Sequence, residues 1–384
     1  MIRVKINPEL LRWARERSGI AQEILAEKFK KLPDWEEGEA QPTLKQVEAF
    51  ARTVHVPIGY LFLTDPPQES IPIPDFRTIA GKAVRRPSPN LLDTIYTCQE
   101  RQSWYRDFVL VTRQPKLDFV GSVTVEVPHE IVAQAMRKKL GFDLAAHQEC
   151  PSWEKALRLF IDQAEEAGIL VMVSGIVMSN TSRQLDPEEF RGFALSDPFA
   201  PLIFVNSNDT KAAQMFTLAH ELAHVWLGES ALSDLGVEPS LGSQREEVWC
   251  NAVAAELLVP LAALQSELQR QDEEPLPELL CRLAHTFKVS KLVILRRLFD
   301  AKWINRDIFD SELKQQVERL KEHVKAGGGN FYRTTLARVG HRFAHALVMS
   351  TLEGQTLYRD AFRMLGVKKT ETFNKLGHEV GVMR

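Results

Sequence analysis

Cysteine is scarce in this chain: four in 384 residues, at positions 98, 150, 250 and 281, with no CxxC pair among them. That spacing excludes a disulfide framework and a cysteine zinc knuckle, and it points to single buried thiols in a reducing compartment. No run of about 18 apolar residues occurs, which excludes a transmembrane helix of ordinary length. The opening residues MIRVKINPELLRWARERSG hold neither an apolar core nor a small-residue cleavage site of a secretory signal, so a cytoplasmic location is expected. A formal net charge of −3 leaves no excess of cations to coat nucleic acid or an anionic membrane. Any such contact must come from a local patch. Internal repeats and low-complexity tracts are absent too. What is present is a globular composition, 44% hydrophobic and 26% charged, in a chain long enough for two or three domains.

Residues 8 to 63 carry helical periodicity. Pro8 to Arg17 reads as a helix stopped by Ser18-Gly19, Ala21 to Phe29 as the next, and Pro42-Thr43 introduces a third over Leu44 to Val54. The polar, proline-rich stretch from Asp65 to Pro74 marks a boundary. A long helix over Pro89 to about Lys116, with Trp104, Tyr105 and Phe108 on its apolar side, bridges the small module to the main domain. Helix 152–167, strands over 168–173, 192–195 and 201–205, and helices 211–227 and 246–258 follow, the last stopped by Pro260. The rest is nearly all helical, interrupted by Gly327-Gly328-Gly329. The expected fold is mainly α with a small α+β core. Its parts are a module over 1–65, linker and bridging helices over 66–145, the core over 146–300 and a helical C-terminal domain over 301–384.

His220-Glu221-Leu222-Ala223-His224 lies inside the amphipathic pattern of helix 211–227. Residues four apart share a helix face, so both imidazoles reach one metal ion, while Glu221 is offset toward the open coordination position. There a carboxylate can accept a proton from water and pass it to a leaving amine. A catalytic zinc takes three protein ligands and keeps a fourth position open. Glu247, on the next helix, is the best third ligand, because Asn251 one turn later can orient a histidine ligand. Glu246 and Glu256 are weaker alternatives. The competing reading is two solvent-facing histidines, and the apolar flanks Phe216-Thr217-Leu218 and Val225-Trp226-Leu227 weigh against it. His341-Arg342-Phe343-Ala344-His345 has the same spacing, but an arginine replaces the glutamate, which marks the pair as structural. His129 and His285 stand alone.

The run from Phe216 to Gly228, followed by Glu247 to Pro260, resembles the ImmA/IrrE family of bacterial metallopeptidases over about residues 150 to 300. The resemblance implies a zincin-like core, one Zn2+ held by His220, His224 and Glu247, and Glu221 as the catalytic base. Cys250 stands where the family usually has alanine. The resemblance also implies an endopeptidase that cleaves a DNA-binding repressor in a stress, phage or mobile-element system. Phe193, Ala194 and Leu195 would then form the edge strand along which a substrate peptide lies.

The N-terminal module resembles an XRE-type (Cro/repressor class) helix-turn-helix through Leu11 to Gly19, Leu25-Ala26, Trp35 to Gly38 and Pro42-Thr43. Only nine residues separate Ala26 from Glu36, about four fewer than that family has, and the shortfall falls on the recognition helix. Residues 1–65 hold ten Lys/Arg and ten Asp/Glu, a net charge of zero, where DNA-reading modules are basic on one face. Residues 310–384 hold 13 Lys/Arg and eight Asp/Glu, a net of +5. Within them, Tyr358 to Leu376 reads as helix, Gly366 turn, helix, with Lys368 and Lys369 at the second helix start. A helix-turn-helix and a plain hairpin packed on the core both fit that pattern. Two functions follow: an endopeptidase acting on a regulatory protein, or an antitoxin-like regulator that neutralises a toxin and holds an idle zinc site. Glu221 separates them, because a binding protein needs the histidines but not the base between them.

Overall fold

A computed structural model of the chain describes residues 3–75, 87–232, 245–269, 274–321 and 331–383. The Gly327–Gly329 run lies outside them. The described residues form two compact units. One runs to Pro72 and takes in a stretch ending at Asp93; the other holds Ile73 to Asp75 and everything from Thr94 on.

The first unit is α1 (Pro8–Ser18), α2 (Gln22–Lys28), α3 (Leu32–Glu37), α4 (Leu44–Thr53) and a 3-10 turn at Ile58–Phe62. Asn7 caps α1 by accepting from the Glu9 amide, and Gly19 ends it in the left-handed region at φ 67°. Thr43 and Gln46 form a reciprocal capping box on α4. Leu10, Leu11, Leu25, Leu32, Trp35 and Phe50 close the core. Where the resemblance places a recognition helix stands α3, six residues long. Its Glu36 is buried, bonded to Arg15 Nε at 2.8 Å and to Gln22 at 3.1 Å.

The second unit begins in α5 (Pro89–Val111), whose first residues to Asp93 group with the other unit. Then come α6 (His129–Leu140), α7 (Leu144–Gln148) and α8 (Trp153–Glu166), followed by β1 (Leu170–Ser174), β2 (Gly192–Leu195) and β3 (Leu202–Asn206). Next are α9 (Lys211–Leu227), β4 (Ala231–Leu232) and α10 (Arg245–Leu258). Eight helices complete the described chain: α11 (Leu261–Leu268), α12 (Leu276–Phe287), α13 (Lys291–Asp300), α14 (Arg306–Lys321), α15 (Phe331–Val339), α16 (His341–Leu352), α17 (Tyr358–Leu365) and α18 (Thr370–Glu379). The core and the C-terminal helices belong to this one compact unit.

The sheet order is β1-β3-β2-β4, with β1 parallel to β3 and β2 antiparallel to both β3 and β4. The expected edge position of Phe193, Ala194 and Leu195 is therefore corrected. Gly228 ends α9 at φ 80°, the chain turns back, and Ala231 and Leu232 pair with Ala194 and Phe193. Leu232 in turn donates its amide to Pro74 O at 2.9 Å. β2 is an interior strand with all four residues buried.

One buried side chain ties the C-terminal helices to α5. Arg101, 4% exposed, donates from Nη2 to Met364 O at 2.8 Å, in the last turn of α17. Its Nη1 reaches Arg338 O at 3.5 Å, in the last turn of α15. A guanidinium between two helix C-termini meets their carbonyls and the negative ends of both dipoles. No single helix among the described residues is long and apolar enough to cross a membrane.

Candidate metal centre

Helix α9 is buried nearly all round from Gln214 to Trp226, and Thr210 caps its start by accepting from the Ala213 amide. Such a helix brings its polar side chains into the interior, where each needs a partner. His220 and His224 are fully buried, with their Nε2 atoms 3.1 Å apart. Helix α10 packs alongside and brings in Glu247, 3% exposed. Its carboxylate lies 3.3 Å from His220 Nε2 and 3.0 Å from His224 Nε2. One ligand atom from each of the three residues falls within 4.8 Å of the others, the only such His/Cys/Asp/Glu group among the described residues.

The donor set fits a divalent metal. Asn251 Oδ1 accepts from His220 Nδ1 at 3.0 Å, which fixes the proton on Nδ1 and turns the Nε2 lone pair toward the other two donors. Two imidazole lone pairs and a carboxylate converging in a dry interior repel one another unless a cation lies among them. Nitrogen and oxygen donors in this number are those zinc takes in an open site. Burial works to raise the Glu247 carboxyl, but the facing His220 and His224 outweigh it and hold the group down to about 2. Burial lowers His224, against its bond to Glu247. Both directions leave the donors in the protonation states a metal requires.

Glu221 is fully buried beneath β2. A Cβ placed on Gly192 would lie 3.3 Å from Glu221 Oε1, 2.5 Å from Thr217 Cγ2 and 2.8 Å from Phe204 O, so only glycine fits this close approach of strand and helix. Sequence spacing gave no sign of it, because the contact joins elements distant in the chain. Glu229 is a second carboxylate near the centre, its pKa raised by burial and then by Glu246 and Glu247. Its place directly after the helix-ending Gly228 was the available signal. Cys250 is buried, and burial with the nearby carboxylates Glu247 and Glu221 pushes its thiol well up, so the thiol stays protonated.

The alternatives to Glu247 lie elsewhere. Glu256 forms a buried ion pair with Arg297, and its Oε2 accepts from the Leu261 amide at 3.3 Å. Glu246 is not in the converging group. His341 and His345 are half-buried and line an open groove of about 610 Å³ between α8 and α16, outside any such group. His129 lies 3.3 Å from Glu130, and His285 meets Trp153 edge to face. Phe193, Ala194 and Leu195 are interior, and Lys368 and Lys369 are exposed just before α18.

Residues 164–299 match the family described as IrrE N-terminal-like domain, a metallopeptidase family, and the match takes in β1 through α13 with the whole His/His/Glu group. It supports a place for this core in the ImmA/IrrE family and a metallopeptidase-like function. Residues 339–379 match a family described as a domain of unknown function (DUF8813). No curated protein matches the chain.

Proposed function

We propose that this protein is a cytoplasmic zinc endopeptidase that cleaves a regulatory protein of the repressor type. The observation that carries the reading is the buried convergence of His220, His224 and Glu247 with Glu221 one residue along the same helix. His220 and His224 would hold the metal through Nε2 and Glu247 through its carboxylate, while Asn251 keeps the His220 proton on Nδ1. When bound, the metal supplies a Lewis acid that polarises a peptide carbonyl and acidifies water. Glu221 takes up the proton released as water attacks the carbonyl carbon, then delivers it to the departing amine as the C–N bond breaks. The first compact unit serves as an XRE-like module that docks the protein partner rather than DNA, in keeping with its six-residue α3 and its balance of charge.

A second reading, an antitoxin-like regulator with an idle zinc site, draws on the full burial of Glu221 and the covering of β2 by β4. The test compares new protein N-termini in cells expressing wild type or Glu221→Gln, with zinc measured in both purified proteins. A cleavage present with wild type and lost in the variant, at equal zinc, supports the peptidase. Zinc in both with identical N-termini, and tight binding of a neighbouring gene product instead, selects the regulator.

A further inference from the structure

The match over residues 339–379 has nearly the limits of α16, α17 and α18, a three-helix segment within the second compact unit. Its interior is apolar. Ala361, Met364 and Leu365 of α17 are buried, as are Phe373, Leu376 and Gly377 of α18. A Cβ on Gly377 would meet Met383 Sδ at 2.6 Å and Val348 Cγ1 at 3.3 Å, so α18 seats tightly on α16 through that glycine. Helices α17 and α18 each pack along α16, and they meet one another through Phe373, whose ring centroid lies 5.4 Å from that of Tyr358 and 5.5 Å from that of Phe362. Between them lie only Gly366 to Lys369. Gly366 ends α17 at φ 69°, and Val367 is buried in the turn. Two short helices, a four-residue turn opened by a left-handed glycine and an apolar turn residue make the arrangement of a helix-turn-helix.

The outer face of α18 has the opposite character. Lys368, Lys369, Thr370, Asn374, Lys375 and His378 are all exposed. Two acidic residues are exposed with them: Glu371, paired with Lys375 at 3.0 Å, and Glu379 in the last turn of α18. Two lysines before the first turn can reach phosphates on either side of a groove. Asn374 carries the amide that pairs bidentately with an adenine edge. A face made for a protein partner would offer a large apolar anchor, and α18 presents none.

We propose that α17 and α18 form a DNA-binding helix-turn-helix, with the outer face of α18 in the major groove, Lys368 and Lys369 on phosphates and Asn374 on a base edge. The protein thereby carries its DNA contact at the C-terminal end, in a place separate from the metal centre.

The experiment is fluorescence polarisation of the full-length protein with a labelled duplex pool of random sequence, at salt from about 50 to 200 mM. Two phosphate contacts give a log–log salt slope of about −1.8, a loss of roughly tenfold over that range. Lys368→Glu/Lys369→Glu should abolish this component, flattening the slope by about 2 and weakening binding at least tenfold at the lower salt. Asn374→Ala should keep affinity for the pool and lose preference for sequences that wild type enriches from it. Unchanged zinc content and melting temperature in both variants separate lost contacts from misfolding. No binding by wild type, a slope unmoved by the double substitution, or an α18-dependent interaction with a protein alone overturns the proposal.

Discussion

Replacing Gly192 by alanine tests how closely β2 is fitted over α9. The added Cβ would lie 2.5 Å from Thr217 Cγ2 and 2.8 Å from Phe204 O. Neither neighbour can swing aside. Phe204 O is backbone of the paired strand, and Thr217 is held by its hydroxyl donating to Ala213 O at 3.0 Å. The strand must therefore shift, and overpacking of this kind costs about 1–3 kcal/mol. Loss of glycine freedom in the unfolded chain offsets roughly 0.4–1 kcal/mol of that. A fall in melting temperature of about 2–4 °C per kcal/mol is the expected readout. Gly59→Ala, where no atom lies within 4 Å of the new Cβ, is the control and should show no such loss. Because the Cβ also stands 3.3 Å from Glu221 Oε1, while the three metal donors are side chains of α9 and α10, zinc should stay while hydrolysis falls. A Gly192→Ala protein as stable as Gly59→Ala would refute the reasoning.

Three further outcomes are expected. Elemental analysis should find about one zinc per wild-type chain, almost none in Glu247→Ala and an undiminished amount in Glu256→Gln, whose carboxylate serves the ion pair with Arg297. Asn251→Ala should weaken zinc about 10–100-fold in a competition titration, because His220 loses the bond that orients it. Glu165, 6% exposed, accepts from the Arg342 amide at 3.1 Å, and burial pushes its carboxyl from 4.5 up to about 7 against that bond. The folded state then holds a proton that the unfolded state releases. Stability from this group is full below pH 4.5 and is lost as pH rises toward about 7. Denaturant midpoints should show that slope in wild type and its removal in Glu165→Gln, which keeps an acceptor for the Arg342 amide.

Local features of the chain were legible in its sequence. The shared face of His220 and His224 follows from 3.6 residues per turn, and the run of apolar residues around them announces a buried helix. Helix α9 runs from Lys211 to Leu227, as its periodicity and the glycine after it indicate. Glu247 and Asn251 stand one turn apart, so a single helix face presents both the carboxylate and the residue bonded to His220. Long-range pairing was not legible. Ala231 and Leu232 are too few to register as a strand, yet they cover β2 and remove the edge that the family resemblance implied. Glu165 capping the start of α16 across 177 positions leaves no periodic trace either.

The position of Arg101 bears on how the chain is made. The carbonyls it grips belong to residues 338 and 364, so its charge finds those partners only after nearly the whole polypeptide has been synthesised. A nascent or truncated chain ending before α15 contains the entire His/His/Glu group but leaves Arg101 and the surface of β1 on which α15 packs open to water. Such a chain is expected to aggregate or be degraded, because an uncovered apolar strand surface seeks other partners. Closure of the core around Arg101 is therefore expected to wait for the end of synthesis.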